Sequence, residues 1–198
     1  RDVIDSHGSI ERKRPVRRAE LRMASAWLLS VVLAMPAAAG ERTTSLGAAI
    51  DSFSLPDYHG QQRSLGEFDD APAVVVAFLG TECPLARHYG RRLGELAAEF
   101  QDRGVVFIGV DSNVQDSLTE IAAYANRYGV TFPILLDARQ RVADLFGATR
   151  TPEVFVLDQN RVVRYHGRVD DQYGISIQKD APHRRELATA LEEVLDGK

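Results

Sequence analysis

The apolar stretch "AVVVAFLG", Ala73 to Gly80, carries no charge and anchors the pattern of the chain. A continuous β-rich run of this kind predicts a strand buried on both faces. Pro84 follows where a first helical turn tolerates proline. Leu85, Tyr89, Leu93, Leu96, Ala97 and Phe100 then recur at helical spacing, which predicts a helix with one face on the sheet. "VVFIGVDS", from Val105 to Ser112, predicts the next buried strand. "QDSLTEIAAYANRYG" predicts the next helix, with Ile121, Ala122, Tyr124 and Ala125 turned inward. "FPILLD" and "EVFVLD" predict two further strands with a short helix, "QRVADLFG", between them. A tight turn at Asp158-Gln159-Asn160 leads into "RVVRYHGRV", which pairs back as a hairpin, and "RRELATALEEVLDG" closes the chain as an amphipathic helix ending at Gly197. Ahead of all this, "SFSLPDYHGQQRSLGEF" predicts a short strand pair with a turn at His59-Gly60.

Strands alternating with helices, finished by a hairpin and a helix, predict an α/β fold: a central mixed β-sheet flanked by helices on both faces. The body, residues 46–198, has the length of one ordinary domain and shows neither an internal repeat nor a low-complexity tract.

The first 39 residues follow a different pattern. Basic "RKRPVRR" precedes apolar "AWLLSVVLAM" and small "PAAAG", the three parts of a secretory signal with cleavage expected after Ala39 and a linker over residues 40–45. Ala26 to Met35 is shorter than the roughly 20 residues a membrane span needs, and no cysteine comes directly after it, so a stable membrane or lipid anchor is not expected. "RRAEL" matches a twin-arginine signal only in part, which favours the general secretion route. A translation start at Val16 on an alternative codon would keep the basic stretch, whereas a start at Met23 would remove it. The expectation is an exported protein, periplasmic or secreted.

Hydrophobic residues make up 44% of the chain and charged residues 26%, the balance of a globular protein with a real core. Charge is unevenly placed: residues 1–22 hold seven Lys/Arg against four Asp/Glu, and residues 40–198 hold 17 against 24. A mildly acidic body argues against a nucleic-acid surface, which needs clustered basic residues. Gly-rich phosphate loops, a Ser-His-Asp order and paired zinc cysteines are absent, so neither a cofactor nor a metal is expected.

The chain has one cysteine, Cys83, between the first long strand and its helix. A sulfur there faces free N–H groups and the partial positive charge of a helix start, which favour thiolate over thiol. The competing reading is a buried, inert cysteine. His88, five residues on, points to another face and makes no metal pair with it. Asp111, Asn113 and Gln115 lie just past a strand end beside this loop, where open α/β sheets place their sites; capping of the next helix by Ser112 or Asn113 is the plainer reading. Asp170, Asp171, Gln172 and Tyr173 are a cleft wall, a weak cation site or, more simply, a structural loop.

"TRTPEVFVLD" sets Thr151-Pro152 just ahead of a buried strand. The order strand, Cys, helix, and much later Thr-Pro and strand resembles the thioredoxin-like superfamily, in its redoxin branch with the alkyl hydroperoxide reductase and thiol-specific antioxidant (AhpC/TSA) proteins. The resemblance covers roughly Leu46 to Lys198 and implies a thioredoxin-like fold in which Pro152 is cis and lies against the reactive sulfur. "FLGTECPLA" is similar to the "F-W-A-T-W-C-P-P-C" stretch of periplasmic thioredoxin-like reductases: Phe78, Thr81, Cys83 and Pro84 match, Glu82 replaces an aromatic, and Ala86 stands where the second cysteine would be. "TECPLARHYG", "GVDSNVQDS" and "GRVDDQYG" resemble a redoxin subgroup often carried as a module in larger exported bacterial proteins.

This resemblance implies thiol-based oxidoreduction through Cys83, resolved by an external thiol reductant or a disulfide-bearing protein, with Pro152 and the Thr151 backbone orienting the partner sulfur. One alternative is a non-catalytic thioredoxin-fold module that binds a partner. Another is a one-cysteine peroxidase acting on peroxide, which would recruit Thr81 and Arg150, because the peroxiredoxin Pro-x-x-x-Thr-x-x-Cys pattern has Val76 and Gly80 at its Pro and Thr positions. Arg150 either approaches the sulfur and stabilises a thiolate or is a solvated loop arginine, with neither reading preferred; Glu82 is expected to face solvent.

Overall fold

The computed structural model describes residues 46–198; the expected signal segment and linker lie outside the described residues. The chain opens with an antiparallel pair, β1 (Ser54–Pro56) and β2 (Gln62–Ser64), joined across the expected turn, where Gly60 takes a φ of 79°. That conformation suits glycine, which has no Cβ to clash.

The central sheet takes β3 (Ala73–Leu79), β4 (Val106–Asp111), β5 (Ile134–Leu136), β6 (Glu153–Asp158) and β7 (Val163–Gly167) in the order β5-β4-β3-β6-β7. Parallel pairs β3–β4 and β4–β5 sit beside antiparallel pairs β3–β6 and β6–β7, so the sheet is mixed as expected. Strand β3 is central and buried throughout, which is why its sequence is apolar without alternation. Its side chains still divide by period two. Ala73, Val75, Ala77 and Leu79 join one core; Val74, Val76 and Phe78 join the other.

The first core lies under α1 (Pro84–Phe100), α2 (Leu118–Tyr128) and α4 (Glu186–Leu195); the second is closed by α3 (Arg141–Phe146) and the N-terminal segment. Helix α1 starts at the expected proline and buries Tyr89, Leu93, Leu96 and Phe100. Leu85 is only half-buried, and Ala86 fills the inward position of the first turn. In α2, Ile121, Tyr124 and Ala125 are buried but Ala122 is half-exposed, because it lies off the packed stripe.

The start of α2 corrects the capping expectation. Ser117 caps the helix in a reciprocal box with Glu120, while the Ser112 hydroxyl donates to Asp137 at 2.9 Å and Asn113 Nδ2 donates to Asp116 at 3.0 Å. A hairpin of two-residue strands, β8 (Tyr173–Gly174) and β9 (Ile177–Gln178), adds an element with no sequence counterpart among the expected strands.

Candidate active site

Strand β3 ends at Leu79, and a tight connection carries the chain through Gly80 and Thr81 to Cys83, whose N–H donates to Gly80 O at 3.2 Å. Cys83 is the N-cap of α1, in extended conformation ahead of Pro84. Its half-buried sulfur makes two contacts: Sγ donates to the Thr151 carbonyl at 3.0 Å and accepts from the Ala86 N–H at 3.5 Å. The Thr151–Pro152 peptide is cis, as the resemblance implied. A carbonyl therefore holds the protonated sulfur, while an N–H of the first helical turn is the donor available to a sulfur anion.

The Cys83 connection is clamped from both sides. Arg87 Nε donates to Thr81 O at 3.0 Å, and its NH2 group lies 3.2 Å from Glu82 Oε1; the Glu82 side chain is 75% exposed, as expected. On the sheet side, Thr81 N donates to buried Asp116 Oδ2 at 3.0 Å, and the Thr81 hydroxyl bonds the same carboxylate. Asp116 also receives Asn113 Nδ2 and hydrogen-bonds Asp111, itself at the end of β4 and 1% exposed. Gly80 leaves room for this amide, since a Cβ would stand 2.3 Å from Asn113 Nδ2 and displace that side chain.

Two carboxylates this close cannot both ionise cheaply. Burial first, then the hydrogen bond and charge of Asp116, push the Asp111 carboxyl up to about 8. For Asp116, burial alone would raise the pKa, but the hydrogen bonds from Asn113 and Thr81 outweigh it and hold the group below the usual carboxylate range. Near neutrality Asp111 is the protonated member and donates to Asp116.

The Thr151 loop is held by Glu153, the first residue of β6. Its Oε2 accepts from Thr149 N at 2.8 Å and Arg150 N at 3.4 Å, and its Oε1 meets His166 Nε2 at 2.7 Å and Arg150 Nε at 3.4 Å. His166 stacks on Phe155, with ring centroids 4.2 Å apart. On the opposite side Tyr124 donates its hydroxyl to Ala86 O at 2.6 Å. Burial first, then the neighbouring Cys83 charge, push the Tyr124 phenol well above its ordinary pKa, so it stays a donor.

Of the residues anticipated for chemistry, Cys83, Thr151 and Pro152 come together. Thr81 backs the loop through the Asp116 contacts, and Arg150 turns to Glu153 with 71% of its side chain exposed. The Asp170 loop is structural: Asp170 pairs with Arg92 at 3.0 Å and accepts from Tyr89 at 2.7 Å, and Asp171 holds Lys179 at 2.5 Å. Sequence reasoning missed Glu153, His166, Asp116 and Tyr124. One signal was available: an acid in "EVFVLD" directly ahead of the apolar run Val154 to Leu157, at the start of a strand expected to be buried, needs a partner.

The family model for the AhpC/TSA family matches residues 46–166. The chain belongs to the AhpC/TSA family. Among similar proteins, the thiol-disulfide oxidoreductase ResA of Geobacillus thermodenitrificans (strain NG80-2) is 28% identical over 120 residues, 61% of this chain and 67% of that protein. The chloroplastic peroxiredoxin Q of Oryza sativa subsp. japonica is 30% identical over 128 residues, 61% of this chain and 58% of that protein. The chain thus spans roughly three-fifths to two-thirds of the length of these two relatives. A hypothetical protein from Sinorhizobium meliloti 1021 superposes with a TM-score of 0.71 at 33% identity, covering 78% of this chain and 86% of that one. Peroxidoxin BcpB from Mycobacterium tuberculosis, at 23% identity and a TM-score of 0.59 over 77% of this chain and 96% of its own, shares the thioredoxin-like fold.

Proposed function

We propose that this AhpC/TSA protein is a thiol–disulfide oxidoreductase that works through Cys83 alone and relies on an outside thiol to complete its cycle. The observation that carries this reading is the placement of one half-buried sulfur at a helix N-cap, 3.0 Å from the carbonyl ahead of Pro152, with Ala86 in place of a second thiol.

The chemistry is thiol–disulfide exchange. The Cys83 thiolate attacks one sulfur of a partner's disulfide; the new Sγ–S bond forms as the S–S bond breaks, and the leaving sulfur departs as thiolate. A second thiol, from a reductant, then attacks the mixed disulfide and releases Cys83. Ala86 N–H, the helix start and the fixed Thr151 loop orient the sulfur, and Tyr124 keeps the first turn of α1 in place through Ala86 O.

The peroxidase alternative has less support, because the Arg150 guanidinium is engaged by Glu153 and the Thr81 hydroxyl by Asp116. Export rests on the basic, apolar and small-residue pattern ahead of Gly40; among the described residues no helix is long and apolar enough to cross a membrane. The test is mixed-disulfide formation with a disulfide-bonded protein such as insulin, followed by release with an added monothiol. Adduct and release in the native protein, both lost in Cys83→Ser, are expected. No adduct with a folded native protein overturns the reading and favours a non-catalytic partner-binding module.

A further inference from the structure

Four large aliphatic side chains are exposed among the described residues, and two of them sit on one hairpin: Ile175 is 89% exposed and Ile177 55%. Strands β8 and β9 pair at Gly174 and Ile177, which leaves Ile175 and Ser176 as a two-residue turn with Ser176 at a φ of 59°. Such turns favour Asn, Asp and Gly, and a solvated tip disfavours isoleucine. Local folding therefore gives no reason for an isoleucine there.

The base of the hairpin is fixed to the helix that carries the thiol. Tyr173 N donates to the Tyr89 hydroxyl at 3.1 Å, and the His88 ring stacks on Tyr173 with centroids 4.6 Å apart. Lys179 N donates to Gln172 O at 3.0 Å, and Lys179 Nζ reaches Asp171. Between hairpin and helix lies a cavity of about 350 Å³ whose walls include Pro84, Leu85, His88, Tyr173, Ser176 and Ile177. Pro84 is bonded to Cys83, so the rim of this cavity continues onto the residue that bears the sulfur.

We propose that the β8–β9 hairpin is the docking element for the polypeptide partner of Cys83, an extended protein segment that presents an apolar side chain beside its own reactive cysteine. This rests on the reading of Cys83 as the nucleophile, and it names the partner class for that site. The cavity wall holds no carboxylate, lysine or arginine: apart from the His88 ring and the Gln178 amide it is apolar, phenolic or hydroxylic, and Glu82 and Arg87 beside Cys83 pair with each other at 3.2 Å. Such a rim matches an apolar segment and not a charged one. A small thiol would touch the sulfur without covering the isoleucine tip; only a partner long enough to bridge both removes that apolar surface from water.

The probes are two peptides whose single cysteine is capped with thionitrobenzoate, one flanked by Leu and Phe and one by Ser and Gly, together with the small disulfide of thionitrobenzoate itself. In each reaction Cys83 thiolate bonds to one sulfur of the disulfide and the aromatic thiolate leaves with the electron pair, so the oxidation level is conserved and the release is coloured. Relative to free cysteine, the native protein should react about 10-fold faster with the Leu/Phe peptide than with the Ser/Gly peptide, a preference in the range that burying isoleucine surface supplies. The double variant Ile175→Ser, Ile177→Ser should lose that preference and keep the native rate with the small disulfide, which also shows that it is folded. Equal rates for the two native reactions, or a preference that survives the double substitution, overturn the docking role while leaving thiol exchange intact. Failure of the native protein to react even with the small disulfide overturns thiol exchange itself, and the docking role with it.

Discussion

Glu153 and His166 meet across the β6–β7 pair, the imidazole Nε2 lying 2.7 Å from a carboxylate whose side chain is 2% exposed. The other oxygen of that carboxylate holds Thr149 N at 2.8 Å. One buried group thus ties an outer strand to the loop whose carbonyl meets the Cys83 sulfur.

Glu153→Ala should cost about 1–3 kcal/mol of stability, because it removes the buried carboxylate that accepts from Thr149 N and Arg150 N and meets the His166 ring. Glu153→Gln keeps the shape and should cost less, while still weakening the loop. Urea unfolding gives the stabilities. The rate of Cys83 with a small aromatic disulfide then reports whether the Thr151 loop has moved; an unchanged rate in a destabilised Glu153→Ala protein would show that Glu153 serves the fold alone.

Asp111 makes stability depend on pH. Its folded-state pKa of about 8 lies above the ordinary carboxyl value of 3.8 that holds in the unfolded chain, so between these values the native state holds a proton that the unfolded chain has released. Stability therefore falls as pH rises through that window, by at most about 1.4 kcal/mol per pH unit from this one group, and levels off above it. Asp111→Asn mimics the protonated acid and should flatten the slope between pH 4 and 8, leaving the variant more stable than the native protein at the upper end. Asp116 has the opposite sign: its pKa is lowered on folding, so its contribution is present above the unfolded value and lost as pH falls through the folded one. Urea midpoints across a pH series separate the two.

Gly94→Ala tests the contact between α1 and the end of α2. An added Cβ would lie 2.5 Å from Gly129 O, a backbone atom with no rotamer to escape into. The overpacking penalty of about 1–3 kcal/mol outweighs the roughly 1 kcal/mol of helix propensity that alanine returns. A lower urea midpoint with an unchanged slope is the expected result.

Ala86→Cys places a second sulfur in the first turn of α1, on a residue whose N–H is already 3.5 Å from Cys83 Sγ. Under mild oxidant the two thiols should pair within the chain, giving a protein without free thiol that added dithiol reverses. Persistence of two free thiols in a folded variant would show that the Cys83 turn is held away from its helix neighbour.

Periodicity along the chain determined the sheet, the helices and the seam that carries Cys83, because burial imposes period two on strands and period 3.6 on helices wherever an element is long enough to show it. Strand β3 and helix α1 are legible for that reason, and the proline after the thiol marks where the helix begins. The order strand, Cys, helix and Thr-Pro singled out the residues that meet at the site. Strands of two residues leave no period to read, so β8 and β9 went unseen, and Ser117 outcompeted Ser112 and Asn113 as a cap because only its hydroxyl meets the N–H groups at the helix start. The partners of Asp111, Glu153 and Tyr124 were decided by tertiary structure alone. Contacts such as Thr81 with Asp116, 35 residues apart, or Cys83 with Thr151, 68 apart, depend on which strand ends the sheet sets side by side. A buried charge announces in the sequence that it needs a partner, but only the folded chain selects which one.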